Sequence, residues 1–377
     1  MRTYHIIVGS KNFFETHIPQ VDQYGDQHID HFLDLVRYSD ERRKQGQFFL
    51  DEDRAELLVI KNDNYHGIVE SAHDRLGSLI EELTTEDAEI FVHNPPATLK
   101  AFLEMQETQG TVSCTYDSEI YTIKRDSGSF ATNIHEIEQY ILGQNAAVQD
   151  ISKSMWYLTN VNRKKPYVIM LYGNSSLGKT ELVREIAKHF FENKFLEIHL
   201  SMYKNDKYSD YFFGQSPNRK SLGYDLLERK SNLIFLDELD KCPEYFYSAF
   251  YTLFDNTVFK DAVYDVDISG TLIILTSNYL DHEDMKGKLG LPIYYRIDKF
   301  IQFFDFSTQT IFQITMNEIR DKVAECSGRF SEADIYRAVA PRIKSTGENA
   351  RTIKNKVQMI FEELLFEDVA DKMASSR

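Results

Sequence analysis

No apolar run in this 377-residue chain is long enough to cross a bilayer. Its start, MRTYHIIVGSKNFFE, carries one early arginine and no secretory cleavage pattern. Cysteine is scarce. Cys114, Cys242 and Cys326 stand apart, odd in number, without metal-ligand spacing or a disulfide framework, so they read as reduced structural thiols. Positive charge is also short. The 43 Lys and Arg face 59 Asp and Glu, a net charge of −16, which argues against a surface built for nucleic acid. Internal repeats and low-complexity tracts are missing too. What remains is a cytoplasmic protein without membrane contact, long enough for two or three domains with real cores.

The most informative stretch is residues 168–181, VIMLYGNSSLGKTE. An apolar run meets a loop, Gly173-Asn174-Ser175-Ser176-Leu177-Gly178, and then Lys179, Thr180 and Glu181 where a helix should open. The spacing is G-x-x-x-x-G-K-[ST]. Backbone N–H groups that curl around a phosphate chain need glycine where a Cβ would clash. Lys179 then reaches the β- and γ-phosphates of ATP, and the Thr180 hydroxyl holds Mg²⁺. The helix N-terminus adds its positive end. A chance Gly/Ser turn is the plain alternative, but VIMLY before the loop and ELVREIAKHFF after it supply the strand–loop–helix setting.

Residues 1–130 read as a small α/β domain. Strands are expected at 3–8, 55–61, 89–93, 111–115 and 119–124, and helices at 28–38, 68–83 and 98–105. Asp126, Ser127 and Gly128 open the expected linker. His28 and His31 could share a helix face, but a metal would need further ligands, and a solvated face is the simpler reading. Asn94-Pro95-Pro96 lies where open α/β sheets often bind ligands, and it is equally a good strand-to-helix turn. Residues 131–306 should form the main α/β domain. Two helices break at Leu142-Gly143, and near-continuous apolar strands at 168–172, 195–200, 232–236 and 272–275 suit a parallel sheet covered on both faces. Residues 307–377 carry the helical period at 308–326, 331–339 and 349–371, a helical lid.

Acidic and polar residues follow two of those strands. Asp237, at the end of NLIFL, can hold Mg²⁺, and Glu238 can polarise the attacking water. Two acids opening a helix would also favour its dipole, which is the competing explanation. Asn278 closes LIILTSN and could hydrogen-bond the water or the γ-phosphate; otherwise it is a turn residue. Arg296, in YYRIDKF, could be a charge-neutralising arginine given to a neighbouring subunit, a role worth about 10³–10⁵ in rate. Otherwise it is a surface arginine paired to Asp298. Arg351 opens the last helix and could reach the γ-phosphate from the lid, or be one more exposed cation.

Taken together and in this order, the motifs resemble the AAA+ superfamily, and more narrowly the second ATPase ring of ClpB-type Clp unfoldases, over roughly residues 138–310. ILGQNAAVQDI is similar to that family's segment against the adenine, which implies Ile141, Leu142, Gly143 and Gln144 there. GNSSLGKTEL is similar to its Walker A, LIFLDELDK to its Walker B, VDISGTLIILTSN to its sensor-1 strand and LPIYYRIDKF to its arginine-finger segment. Sensor 2 falls on Arg351, although the Gly-Ala-Arg signature is kept only in part as Asn349-Ala350-Arg351. The family implies ATP and Mg²⁺ as ligands and a hexamer-type homo-oligomeric ring acting on protein. Two features depart from it. The pore-loop region, DYFFGQSPNRKSLGY, has Asn218, Arg219 and Lys220 after Pro217 where an aromatic–glycine pair belongs. The ATPase module is single, and the N-terminal domain, a candidate for recruiting substrate or partner, is not the familiar Clp one. In layout the chain is also similar to the ClpB-like component of two-gene bacterial anti-phage systems such as Dodola.

Three functions follow as expectations: a ring-forming protein remodeller; a nucleotide-gated switch or scaffold that threads no polypeptide; and a nucleic-acid loader using Arg219, Lys220 and Arg163-Lys164-Lys165. The acidic balance disfavours the last.

Overall fold

The computed structural model describes residues 1–19, 28–121, 123, 127–326 and 329–375. Two parallel sheets organise them. The first belongs to an N-terminal unit built from β1 (Thr3–Val8), α1 (Lys11–Glu15), β2 (Asp30–His31), α2 (Phe32–Lys44), β3 (Ala55–Ile60), α3 (Leu76–Leu83), β4 (Thr84–His93), α4 (Ala97–Thr108) and β5 (Ser113–Ser118). Its strand order is β2-β3-β4-β1-β5. Alternation along the strands splits the core. Tyr4, Ile6, Leu58, Ile60, Ile90 and Val92 face α2, α3 and α4. Ile7, Leu57, Val59 and Phe91 face Phe14 of α1 on the other side.

The second sheet follows two helices, α5 (Ser127–Tyr140) and α6 (Asn145–Asn160). Its elements are β6 (Tyr167–Tyr172), α7 (Lys179–Phe190), β7 (Leu196–His199), α8 (Ser209–Phe213), α9 (Leu222–Leu227), β8 (Leu233–Asp237) and α10 (Tyr247–Asp255). A hairpin of β9 (Val258–Lys260) and β10 (Asp265–Asp267) precedes β11 (Leu272–Thr276), α11 (His282–Tyr294) and β12 (Lys299–Gln302). The order is β12-β6-β11-β8-β7, all parallel. Val168, Met170, Ile234, Leu236, Ile273 and Leu275 point to the α8–α11 side. Ile169, Leu171, Leu233, Phe235, Leu272 and Ile274 point to α5–α7 and the lid. Burial on both faces is why these strands read as unbroken apolar runs. The lid comprises α12 (Thr308–Glu325), α13 (Glu332–Val339) and α14 (Ala350–Ser375), with Ile311, Ile319, Ile353 and Val357 buried against the second core.

Several expectations need correction. Ser127 and Gly128 open a helix and are not linker; Asp126 lies outside the described residues. The helix expected at 28–38 starts at Phe32 and runs to Lys44, so His28 precedes it and pairs with Asp30 at 3.5 Å. Residues 68–83 hold a 3₁₀ stretch, Glu70–Arg75, before α3. β4 begins at Thr84, not at Glu89. The last N-terminal strand is Ser113–Ser118. Of the strand expected at 119–124, Thr122 and Lys124 lie outside the described residues, and Glu119, Ile120, Tyr121 and Ile123 are not in a strand. Among the described residues no helix is long and apolar enough to cross a membrane.

Glu348 anchors the start of α14. Its side chain is 3% exposed and accepts from the Lys344 N–H at 3.0 Å, the Thr352 hydroxyl at 2.7 Å and the Lys356 ammonium. Burial pushes its carboxyl up, but these three donors outweigh that and hold it below the ordinary glutamate value. A depressed carboxylate contributes stability above its unfolded pKa and loses it as pH falls through the folded one. Lys356→Met is therefore expected to cost about 1.5–3 kcal/mol at neutral pH. Denaturant midpoints measured against pH should show that difference shrinking in acid.

Candidate nucleotide site

The loop after β6 is shaped by backbone that side chains resist. Gly173 has φ +130°, and a Cβ there would lie 2.3 Å from the Phe303 carbonyl oxygen. Gly178 has φ +100° and caps α7 directly. Between them Ser176 holds φ +60° without being glycine, and its carbonyl accepts the Ala350 N–H from the lid at 3.2 Å. Asn174 donates to Asp305 at 2.8 Å, Leu177 is buried, and Ser175 lines the cavity beyond. Loop and lid thus touch through main chain.

Lys179 is 7% exposed. Its ammonium donates to the carbonyls of Gly173 and Asn174 at 2.6 and 2.7 Å and to Asn278 Oδ1 at 3.3 Å. Burial lowers its pKa to about 8, while the Asp240 and Asp237 carboxylates pull the other way. Thr180 sits at the first turn of α7, its hydroxyl 3.5 Å from Asp237 Oδ1. The same carboxylate accepts from Thr276, and its other oxygen lies 3.4 Å from His199 Nδ1.

Glu238 follows Asp237 in left-handed backbone, φ 60° and ψ 51°. Such a conformation costs a non-glycine residue on the order of 1–3 kcal/mol and persists only where the surroundings enforce it. Thr276 does so here, because its hydroxyl accepts the Glu238 N–H at 2.9 Å. β11 lies between β6 and β8, so its end delivers Thr276, Ser277 and Asn278 to the gap between the glycine loop and Asp237. Asn278 is fixed by Asp240, which accepts from its N–H at 3.2 Å and its Nδ2 at 3.4 Å.

Many of these groups line one cavity of about 520 Å³, open between sheet and lid, while Gly173, Asn174, Leu177 and Asp240 stand outside its lining. Ser175, Ser176, Gly178, Lys179, Thr180 and Glu181 form one wall. Asp237, Glu238 and Asn278 form the second, and Arg351 of the lid the third. Lys354 stands beside Arg351, three residues on along the same face of α14.

The 141–144 segment lies off this cavity's lining. Ile141 is buried 3.9 Å from where a Cβ on Gly178 would sit. Leu142 is half-buried at the break between α5 and α6. Gly143, at φ +74°, lies so close to Thr310 of α12 that a Cβ would come within 2.5 Å. Gln144 donates to the Phe304 carbonyl at 2.8 Å and accepts its N–H at 3.2 Å, clamping the segment that leads from β12 to the lid. Arg296 is also outside the cavity. Its Nε pairs with Asp255 Oδ2 at 2.7 Å, Nη1 donates to the Pro292 carbonyl at 2.6 Å, and the guanidinium stacks 4.6 Å from the Tyr251 ring centre. The expected partner Asp298 is taken by Arg163 at 2.7 Å and by the Val168 N–H.

Sequence reasoning passed over Thr276, Asp240 and Lys354. Lys354 had a signal, helical spacing from Arg351. Thr276 meets Asp237, 39 residues away, and Asp240 meets Asn278, 38 residues away, contacts that local pattern does not encode.

The aromatic residues of the 211–224 region are committed inward. Phe212 is 1% exposed among Tyr203, Phe246 and Phe250. Tyr211 donates to Asp225 at 2.8 Å, and Tyr224 is buried and donates to Asp63 of the N-terminal unit. Arg219 and Lys220 are exposed, paired to Asp210 at 3.1 Å and Asp63 at 3.9 Å.

Residues 164–332 match the family model of the AAA domain (Cdc48 subfamily). Among curated proteins, the chain is 24% identical over 173 residues to the mitochondrial disaggregase of Rattus norvegicus, covering 41% of this chain and 25% of that one. It is 23% identical over 315 residues to the chaperone protein ClpB of Oceanobacillus iheyensis, covering 70% and 38%. With ClpB 1 of Synechococcus elongatus it shares 29% identity over 158 residues, covering 38% and 18%. The chain therefore spans well under half the length of these relatives.

Proposed function

We propose, starting from an AAA+ ATPase domain resembling that of ClpB in residues 164–332, that this chain binds and hydrolyses ATP and couples the cycle to remodelling a protein partner. One observation carries the reading: Lys179, Thr180, Asp237, Glu238, Asn278 and Arg351, from four separate segments, meet in a single cavity. The loop fits a triphosphate, since Gly173 and Gly178 take φ +130° and +100°, the backbone turns that a phosphate-cradling loop requires. Thr180 and Asp237 would hold Mg²⁺, which neutralises charge building on the phosphate oxygens. Lys179 exchanges its carbonyl partners for phosphate oxygens. Glu238 accepts a proton from the attacking water, and Asn278, held by Asp240, orients that water. Arg351 and Lys354 meet the phosphate end from the lid. Ile141 to Gln144, beyond that cavity's lining, would bound the base, where Gln144 holds the segment between β12 and the lid.

In this reading a neighbouring copy completes the site with Arg296. The exposed apolar residues next to it in sequence, Leu291 and Tyr295, are part of the surface such a copy would cover. A closed homo-oligomer of the hexamer type follows, in the cytoplasm, with anti-phage defence the setting its layout suggests.

A second reading has its own support: a nucleotide-gated switch or scaffold that does not thread polypeptide. Tyr211, Phe212 and Tyr224 are locked into packing and hydrogen bonds, so none of them projects as a gripping ring. An unfolded fluorescent substrate separates the two. A remodeller should show ATP turnover stimulated several-fold by that substrate, with loss of its native fluorescence. A switch should hydrolyse ATP at one rate with or without it.

A further inference from the structure

The N-terminal sheet has a topological switch. β1 and β4 are adjacent and parallel, yet α1 after β1 packs on one face and α4 after β4 packs on the other. Open α/β sheets bind ligands in the crevice outside the carboxyl ends of such strands. Here that crevice is lined by buried polar side chains. Asn62 after β3, and His93 and Asn94 at the end of β4, are each 1% exposed. His93 stacks on Phe14 at 4.4 Å and contacts the Gly9 carbonyl through Nε2 at 2.8 Å. Asn94 pairs both ways with the Gly9 backbone at 2.9 Å.

Into this crevice projects a carboxylate from the other sheet's domain. Glu228 Oε1 accepts from Asn62 Nδ2 at 2.7 Å and from Asn94 Nδ2 at 3.3 Å, and lies 3.7 Å from His93 Nε2. Oε2 accepts the Lys11 N–H at 2.9 Å. Tyr264, also from the ATPase side, fixes Asn62 by donating to its Oδ1 at 3.2 Å. The donors converge on both oxygens, as they would on a ligand. Glu228 immediately follows α9. At the other end of that helix Tyr224 donates to Asp63, and Lys220 lies over the Tyr224 ring at 4.7 Å. The N-terminal unit therefore grips α9 at both ends. This helix stands between the 214–221 loop and β8, the strand that ends in Asp237.

We propose that the crevice is a carboxylate-binding site whose occupant is this chain's own Glu228, and that the engagement is a latch restraining α9 and both segments it joins. The latch itself does not depend on the ATPase reading; only its effect on turnover does. Hydrogen bonds to a charged group are among the stronger ones, and losing one should make opening about ten- to a hundredfold more frequent.

The test uses the full chain and reads amide hydrogen exchange in α9 and at residues 62–65. Glu228→Ala should raise exchange there about ten- to a hundredfold. Sodium propionate, which can refill the vacated place, should restore protection, and sodium chloride at equal ionic strength should not. Unchanged exchange, or equal rescue by chloride, would overturn the latch. Should Glu228→Ala fail to fold, Asn62→Asp sets a second carboxylate against Glu228 and should open the latch, and adding Glu228→Gln should close it again. No relief in the double variant would equally overturn it. Turnover is scored separately. A several-fold rise in ATP hydrolysis on opening supports restraint of β8. A rate unmoved by opening refutes the restraint, and an inactive parent counts against the ATPase reading alone.

Discussion

Replacing Glu238 with glutamine is expected to leave ATP binding intact and to cut hydrolysis by about 10²–10⁴-fold, the usual worth of a positioned general base. The amide keeps the size of the side chain and the hydrogen bond from its own N–H to Thr276, so the left-handed turn survives. What is lost is the capacity to take a proton from water. Phosphate release under single-turnover conditions, read beside equilibrium binding of a fluorescent ATP analogue, separates the two effects. Because ATP would persist in the site, the variant should also elute as a larger assembly than the parent. Turnover equal to the parent's would remove Glu238 from the chemistry and leave its strained backbone without a purpose.

Arg296→Ala should lower turnover by about 10³–10⁵-fold in the assembled protein while leaving each copy folded. The in-chain contacts it gives up are modest. Its ion pair with Asp255 is partly exposed, and such pairs contribute below about 1 kcal/mol. The informative measurement is a mixture. Lys179→Ala disables a site but keeps its own Arg296, and Arg296→Ala keeps an intact loop. If sites are shared, blending two inactive proteins should restore a measurable fraction of the parent rate, because some interfaces unite the good half of each. A blend as inactive as its parts, with both variants assembling normally, would mean that Arg296 serves its own chain.

How much of this was legible beforehand follows from where the physics is local. The glycine loop after β6 was readable because its glycines answer to backbone geometry within a dozen residues. β6, β8 and β11 were readable because two-sided burial forces continuous apolar runs. β12 was missed. Its four residues form a short edge strand with one buried side chain, Ile301, too little to leave a pattern. The early start of β4 was hidden because Thr84–Glu89 is polar, pairing with β3 only across a register shift at Ala55/Leu57. α2 extends through SDERRK, which has no apolar residue and buries only Ser39. Contacts between distant segments were legible only where motifs implied a shared ligand, as for Thr180 and Asp237. The neighbouring Asp298 was the natural partner for Arg296, yet the fold supplies Asp255, 41 residues earlier. Nothing around Glu228 marks it as the residue that meets Asn62, 166 positions away.

The turn at Glu238 has an evolutionary corollary. A peptide unit with positive φ is most at ease with glycine, and asparagine comes next. The proposed hydrolysis requires glutamate there, so on that mechanism heat resistance and turnover select in opposite directions at a single codon. A lineage that kept the fold but abandoned hydrolysis would drift first at this residue. Glycine or asparagine in its place among related chains would then be the earliest trace of a scaffold that no longer burns nucleotide.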